Sequence, residues 1–418
     1  MAVKKTTLPD GLRIVTERIP SIRSVSVGVW VDVGSRNEQV SENGVSHLIE
    51  HMFFKGTRSR NAKELANSIE QLGGAINAFT TREQTCFYVR SLDEHLPQAV
   101  DVLSDMLMNS TFTPHNLKRE KLVVLEEIKE TNDSPSELVH DIFAERFWDG
   151  QPLGRPILGT PESVLAMPRK RILDYIKSHY TADKVVISAA GNLSHDELVR
   201  LSKRKFKFSK QKSPAALPAI EPQSGGTHFF EKDIAQNHFV LGFPSIDFCH
   251  KAKFGALGLN FYLGGGMSSA LFQEIREKRG LAYTVYTFQD FYRDSGVFGV
   301  YLSTDGKGLP QALELIRAQF RKLRRQALST QTLDKIKAQI KGSLIFALES
   351  ASGRMNRVAR HELMLGKSTP LRKSLAMVEA LQPKDLQEAA QMIFDEKRLV
   401  AVSLGPVTKN ELGESLSV

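Results

Sequence analysis

One eight-residue pattern occurs twice, far apart in the chain. Leu96-Pro97-Gln98-Ala99-Val100-Asp101-Val102-Leu103 is matched by Leu309-Pro310-Gln311-Ala312-Leu313-Glu314-Leu315-Ile316, and a strand pattern ending at Gly191 has a counterpart ending at Gly405. Both pairs are offset by about 213 residues. At 418 residues the chain is too long for one ordinary hydrophobic core, so the repeat implies one domain plan used twice. Between the copies runs Ser209 to Gly226, with three prolines among Ser, Gln and Gly, which reads as a linker. The expected division is 1–208, linker 209–226, and 227–418.

Within the first half, strands and helices alternate. Residues 25–33 (Val-Ser-Val-Gly-Val-Trp-Val-Asp-Val) alternate strictly and predict a half-buried strand. Ala75–Thr81 and Thr85–Arg90 predict two more strands, and Lys184–Ala190 a closing one. Helices are expected over Ala62–Leu72, ended by Gly73-Gly74, and over Leu96–Met108, Pro114–Thr131 and Ser194–Phe206. The fold class is therefore α+β, with each half a mostly antiparallel sheet packed with helices.

Composition narrows the setting. Cys86 and Cys249 are the two cysteines and form no disulfide framework, which fits a reducing compartment. No secretory or transit pattern opens the sequence and no run of 18 apolar residues occurs, so a cytoplasmic protein without a membrane span is expected. The net charge of +9 is unevenly shared: residues 1–210 hold 29 Lys+Arg against 27 Asp+Glu, leaving 27 against 20 for the remainder. The surplus, with Arg317, Arg321, Lys322, Arg324 and Arg325, is not interleaved with aromatics. It reads as a solvated helix face, and no nucleic-acid partner is expected.

The chemistry concentrates at His47-Leu48-Ile49-Glu50-His51. On a helix, histidines four apart share one face and Glu50 leans to the same side. Two such imidazoles can hold one Zn²⁺, and a neighbouring carboxylate can act as a base on a water. The order H-x-x-E-H is the inverzincin signature. Leu48, Ile49, Met52, Phe53 and Phe54 fill the other faces, so the helix is expected to be buried. A 210-residue shift sets Leu257, Asn260 and Phe261 opposite His47, Glu50 and His51, so the second half keeps the scaffold and lacks the metal motif.

A catalytic zinc site normally takes three protein ligands. Glu120 and Glu127 lie seven apart on the Leu117–Glu130 segment, two turns along one face, whereas Glu126 is rotated about 100° from Glu127. One of Glu120 and Glu127 can complete the site while the other anchors a histidine; periodicity leaves open which does which.

Together, His47-x-x-Glu50-His51, Glu127 with Glu120 seven before it, Gly73–Thr80 and Leu153–Gly159 resemble the pitrilysin/insulinase zinc peptidases. Within that family the chain looks most like the mitochondrial processing peptidase β-subunit and its bacterial relatives. The resemblance covers nearly the whole chain. It implies one Zn²⁺ per chain held by His47, His51 and Glu127, with Glu50 as general base and Glu120 as supporting acid. It also implies a peptide substrate added as a strand beside Ala75–Thr80, held along Asn77, Ala78 and Phe79.

In the second half, Gly264–Tyr283 resembles the family's glycine-rich and Arg/Tyr segment, mapping the arginine and tyrosine onto Arg276 and Tyr283, which would stabilise the oxyanion. Many relatives carry arginine where this chain has Ala270, so altered cleft or partner contacts are expected. No G-x-x-x-x-G-K-[ST] pattern accompanies the glycines, which excludes a nucleotide loop. The function expected is a zinc endopeptidase acting on oligopeptides or extended, unfolded segments, with a preference for basic residues near the cut set by Glu120, Glu126, Glu127 and Glu130. Relatives of this length pair two chains, so a homodimer or heterodimer is expected. The rival is a non-catalytic core or peptide-binding partner subunit; such chains lose either the metal motif or the Arg/Tyr pair, and both sets are present here.

Overall fold

In chain order the first half gives β1 (Val3–Thr7), β2 (Arg13–Arg18), β3 (Ser24–Val31), α1 (Val45–Phe53), α2 (Ala62–Glu70), β4 (Ala75–Thr80), β5 (Thr85–Leu92), α3 (Leu96–Asn109), α4 (Pro114–Asp133), α5 (Pro135–Phe147), α6 (Pro161–Ala166), α7 (Arg169–His179), β6 (Val185–Gly191) and α8 (His195–Lys205). The second half follows with β7 (Gly226–Glu231), β8 (Asn237–Ser245), α9 (Lys253–Gly264), β9 (Thr284–Phe291), β10 (Gly296–Thr304), α10 (Leu309–Arg325), α11 (Thr330–Phe346), α12 (Ala351–Leu365), α13 (Leu371–Glu379), α14 (Pro383–Ile393) and β11 (Val400–Gly405). This computed structural model describes residues 3–210, 219–221 and 225–407. Most of the stretch read as a linker, 209–226, lies outside the described residues.

Two sheets form, and their orders match. The first runs β1-β2-β6-β3-β5-β4 and the second β7-β11-β8-β10-β9. In each, one neighbouring pair is parallel (β2 with β6, β11 with β7) and all others are antiparallel. The five strands β2, β6, β3, β5 and β4 thus correspond in order to β7, β11, β8, β10 and β9, with β1 an addition to the first. The α+β duplication expected from the repeat is present.

Packing gathers the chain into two compact units, Met1–Glu130 with Arg155–Pro218 and Phe346–Pro370, and Thr131–Gly154 with Ala219–Ile345 and Leu371–Val418. The units depart from simple chain order in two places. Helix α5, from the first half of the sequence, packs in the second unit, where Val139, Phe143 and Phe147 share a core with Val240, Val402 and Leu404. Helix α12, from the second half, packs in the first, where Met355, Val358, Ala359 and Leu363 cover Val15, Trp30, Val186 and Ala190. Ser188 Oγ donates to the Met355 carbonyl at 2.9 Å, and Glu362, 1% exposed, takes Lys5 Nζ at 2.7 Å.

This arrangement corrects one expectation. Strand β3 is buried on both faces, not half-buried. Val25, Val27, Val29 and Val31 enter the main core with α1 and α3, while Trp30 lies under α12. The alternation was real, but the face expected to be wet is covered by a helix more than 300 residues away. Among the described residues no helix is long and apolar enough to cross a membrane.

Candidate metal centre

Helix α1 carries two kinds of face. Val45, Leu48, Ile49, Met52 and Phe53 are buried in the first unit's core, and Phe53 meets Phe87 and Phe112 edge-on at centroid distances of 5.1 and 5.2 Å. That burial fixes the rotation of the helix, so His47, Glu50 and His51 come out together on the remaining face. Their side chains are only partly exposed.

Helix α4 is oriented the same way by Leu117, Val124 and Ile128. Its Glu127 reaches between the two imidazoles: Oε2 lies 3.7 Å from His47 Nε2 and Oε1 lies 3.5 Å from His51 Nε2. The ring centroids of the two histidines are 4.6 Å apart. One ligand atom from each of His47, His51 and Glu127 falls within 4.8 Å of the others, the single such cluster found among the described residues. Glu120, two turns earlier on α4, takes the other side of His51: its Oε2 is 3.3 Å from His51 Nδ1 and 3.0 Å from Lys55 Nζ. The choice that periodicity left open is thus resolved in position: Glu127 faces both Nε2 atoms, and Glu120 faces Nδ1. Glu126 points elsewhere and pairs with Lys129 at 2.6 Å.

The electrostatics follow from these contacts. Burial, with the neighbouring His51 charge, lowers the His47 pKa to about 4, so the ring is a neutral donor at neutral pH. Burial opposes protonation of His51, but the Glu120 hydrogen bond and the charges of Glu127, Glu120 and Glu50 prevail and raise its pKa. Burial raises Glu120, yet the bonds from His51 and Lys55 outweigh it and the net shift is downward. Burial raises the Glu50 pKa, partly offset by a hydrogen bond from Thr80 Oγ1 to Glu50 Oε2.

A zinc ion fits this donor set. Two imidazoles and one carboxylate are a known three-ligand set for catalytic zinc, leaving a position for water or substrate. Glu120 holds His51 Nδ1, which directs Nε2 inward. The His47 Nδ1 atom is buried without a hydrogen-bond partner, which is consistent with a ring placed for its Nε2.

Beside this cluster lies strand β4, the edge of the sheet. Asn77 and Ala78 pair with Tyr88 and Phe87 of β5, and Phe79 with Cys86, which leaves the other backbone edge of β4 to solvent or a guest strand. Thr80, at its end, is the residue bonded to Glu50. In the second unit, Arg276 lies in a short π-helical turn, its guanidinium carbon 4.8 Å from the Phe272 ring centroid and 4.9 Å from that of Tyr283. Tyr283 itself is 70% exposed. In that unit helix α9 presents Leu257, Asn260 and Phe261 where α1 has its three polar residues.

Known proteins match most of the chain. Residues 13–161 match the family model for insulinase (peptidase family M16), and residues 166–340 match that for the peptidase M16 inactive domain. An uncharacterized zinc protease of Bacillus subtilis is 40% identical over 402 residues, 96% of this chain and 98% of that protein. The chain belongs to the M16 peptidase family. A second relative, an uncharacterized zinc protease of Streptomyces coelicolor, is 38% identical over 97% of this M16 chain and 90% of its own length. Among solved structures, a protease from Helicobacter pylori superposes with a TM-score of 0.90 at 23% identity, covering 96% of this chain and 99% of that one. A chain of Complex III2 from Candida albicans superposes at 0.85 with 19% identity, covering 99% and 100%; at such identities the likeness is one of fold. The resemblance to insulinase-type zinc peptidases therefore holds.

Two residues that bear on the site carry no signal in the sequence. Thr80 lies on a predicted strand, and nothing in its spacing links it to Glu50. Glu38 precedes α1, and its carboxylate accepts from the backbone of that helix. Neither has a spacing signature, because each reaches the site across a turn.

Proposed function

We propose that this M16 chain is a zinc-dependent endopeptidase that hydrolyses peptide bonds in oligopeptides and in extended or unfolded segments. The observation that carries this reading is the convergence of His47, His51 and Glu127 within 4.8 Å of one another, with the Glu50 carboxylate on the same helix face and an open strand edge beside it. Zinc held there would supply Lewis acidity, making water a nucleophile near neutral pH and polarising the scissile carbonyl.

The protein's own groups then divide the work. Glu50, its pKa raised by burial, accepts a proton from the attacking water and returns it to the leaving nitrogen. Glu120 fixes the orientation of His51. An extended substrate pairs with the free edge of β4 along Asn77, Ala78 and Phe79, a mode that selects unfolded segments over folded proteins. Arg276 and Tyr283 are assigned to the developing oxyanion, each such donor being worth about 10²–10³ in rate. Of the four acids invoked for a basic preference, Glu120 and Glu126 are already paired with Lys55 and Lys129.

Pairing with a second homologous chain, identical or not, and a cytoplasmic setting belong to the same proposal. A cysteine count of two in the whole sequence supports the latter. The competing reading, a non-catalytic core or peptide-binding subunit, draws on the fold likeness to a chain of Complex III2. Hydrolysis of an unstructured peptide library separates the two. Turnover that is abolished by a chelator and restored by Zn²⁺ is expected; no turnover, alone or mixed with a homologous chain from the same genome, leaves the scaffold reading.

A further inference from the structure

Helix α1 starts without a cap of its own. Its N-cap is Gly44, with φ +89° and no side chain to accept from the first turn, and both Gly44 and Ser46 are buried. Orphan N–H groups in such a place are costly unless something accepts from them. The acceptor is Glu38, six residues before the cap and 4% exposed. Its Oε1 takes the Ser46 N–H at 2.8 Å, and its Oε2 takes the Gly44 N–H at 2.8 Å and Asn43 Nδ2 at 3.0 Å.

The carboxylate therefore bridges the N-cap and the second helical position, ending on the N–H of Ser46, the residue immediately before His47. Burial raises the Glu38 pKa to about 7 against the opposing bonds from Asn43, Ser46 and Gly44, and in its ionised form the group also suits the helix dipole. A second layer locks Glu38 itself. Its carbonyl accepts from the Arg155 guanidinium, Asn43 Nδ2 also donates to the Pro156 carbonyl at 2.9 Å, and Ser163 Oγ donates to the Asn43 carbonyl at 2.7 Å. Apolar burial of the opposite face fixes α1 in the core. The two-oxygen grip on Gly44 and Ser46 adds a directional restraint on where the helix starts.

We infer that Glu38 is a positioning residue for the metal centre: it fixes the start of α1 and thereby the register of His47, Glu50 and His51 against Glu127 and Thr80. This rests on the zinc reading above and adds to it a residue that touches neither the ion nor the substrate.

The test is zinc affinity by chelator competition on the full chain, with the melting temperature of the metal-free protein measured alongside. Glu38→Gln keeps the size but turns an N–H group toward one of the backbone donors. It is expected to bind zinc about 10–100-fold more weakly, the range seen when groups supporting a ligand are lost. Leu201→Ala, a core truncation in the same unit, is the control: it is expected to lower the melting temperature and leave zinc affinity within twofold. Asn43→Ala removes one donor and spares both backbone bonds, so a smaller loss is expected, and it serves if Glu38→Gln does not fold. Zinc affinity for the folded Glu38 variant no weaker than the control's overturns the inference, as does wild-type affinity in Asn43→Ala when Glu38→Gln cannot be folded. If wild type binds no zinc, the metal reading itself falls and takes this role with it.

Discussion

Glu127 and Glu120 are the same residue type on the same helix stripe, yet their contacts differ. Glu127 meets the Nε2 atoms of both histidines, so Glu127→Gln removes the only anionic donor of the cluster and is expected to abolish stoichiometric zinc binding, as read by metal analysis after dialysis. Among the described residues Glu120 pairs with His51 Nδ1 and Lys55. Glu120→Gln should keep zinc but bind it about 10–100-fold more weakly. Equal losses in the two variants would contradict the division. Thr80 gives a sharper contrast, because its hydroxyl touches Glu50 and not the ligands. Thr80→Val is expected to lower kcat at least tenfold with zinc content unchanged, and Thr80→Ser to restore most of it; a Val variant with full kcat would show that the bond is idle. The residues on α1 were legible because helical spacing alone puts positions 47, 50 and 51 on one face. Glu127 against Glu120 was not, since a seven-residue interval is symmetric until the partner helix is in place. Thr80 and Glu38 were invisible for a simpler reason: their reach depends on how a strand end and a turn fold back.

The elements around α1 are held by polar pins that carry their own signatures. Asp105 on α3 accepts from Thr57, Ser59 and Arg60 in the turn after α1, each within 2.8 Å, and from Asn109 at 2.9 Å. Burial raises the Asp105 pKa, but these donors outweigh it and the net shift is downward. A carboxylate depressed in the folded state stabilises above its unfolded pKa, and that contribution is lost as pH falls through the folded one. Asp105→Asn is therefore expected to be less stable at pH 7 and to lose less stability on acidification below about pH 4, as followed by urea melts; identical acid limbs in both proteins would refute the pinning. At the other end of α1, Gly44 at φ +89° faces Gly159 at φ +81°. A Cβ on Gly44 would lie 2.6 Å from the Leu158 carbonyl oxygen and 2.9 Å from Gly159 Cα. Gly44→Ala should cost about 2 kcal/mol or more, since backbone strain and a clash add. In the first half most element positions follow from alternation, glycine stops and proline starts, whereas the second half is read only through its offset from the first. Helix α5 is not among those read from the sequence, although Val139, Phe143 and Phe147 recur at four-residue intervals and join one core.

At the scale of the whole molecule, duplication was readable from the paired Leu-Pro-Gln-Ala segments, because like sequences at a constant offset require like packing. The placement of α5 and α12 was not, since which sheet a helix covers depends on a distant partner and not on its own pattern. The consequence is physical: residues 1–208 alone would lack α12 and expose the face formed by Val15, Trp30, Val186 and Ala190. That fragment is expected to be insoluble or unfolded alone, and to gain cooperative melting when co-expressed with 209–418. A stable, cooperatively folding 1–208 would contradict the role given to α12. The central claim concerns the ion and the base together, and Glu50→Gln tests it in one comparison with wild type at matched metal content. The account predicts one zinc per chain in both proteins and a peptide turnover in the variant lower by about 10²–10⁴. Full turnover by zinc-loaded Glu50→Gln would contradict it.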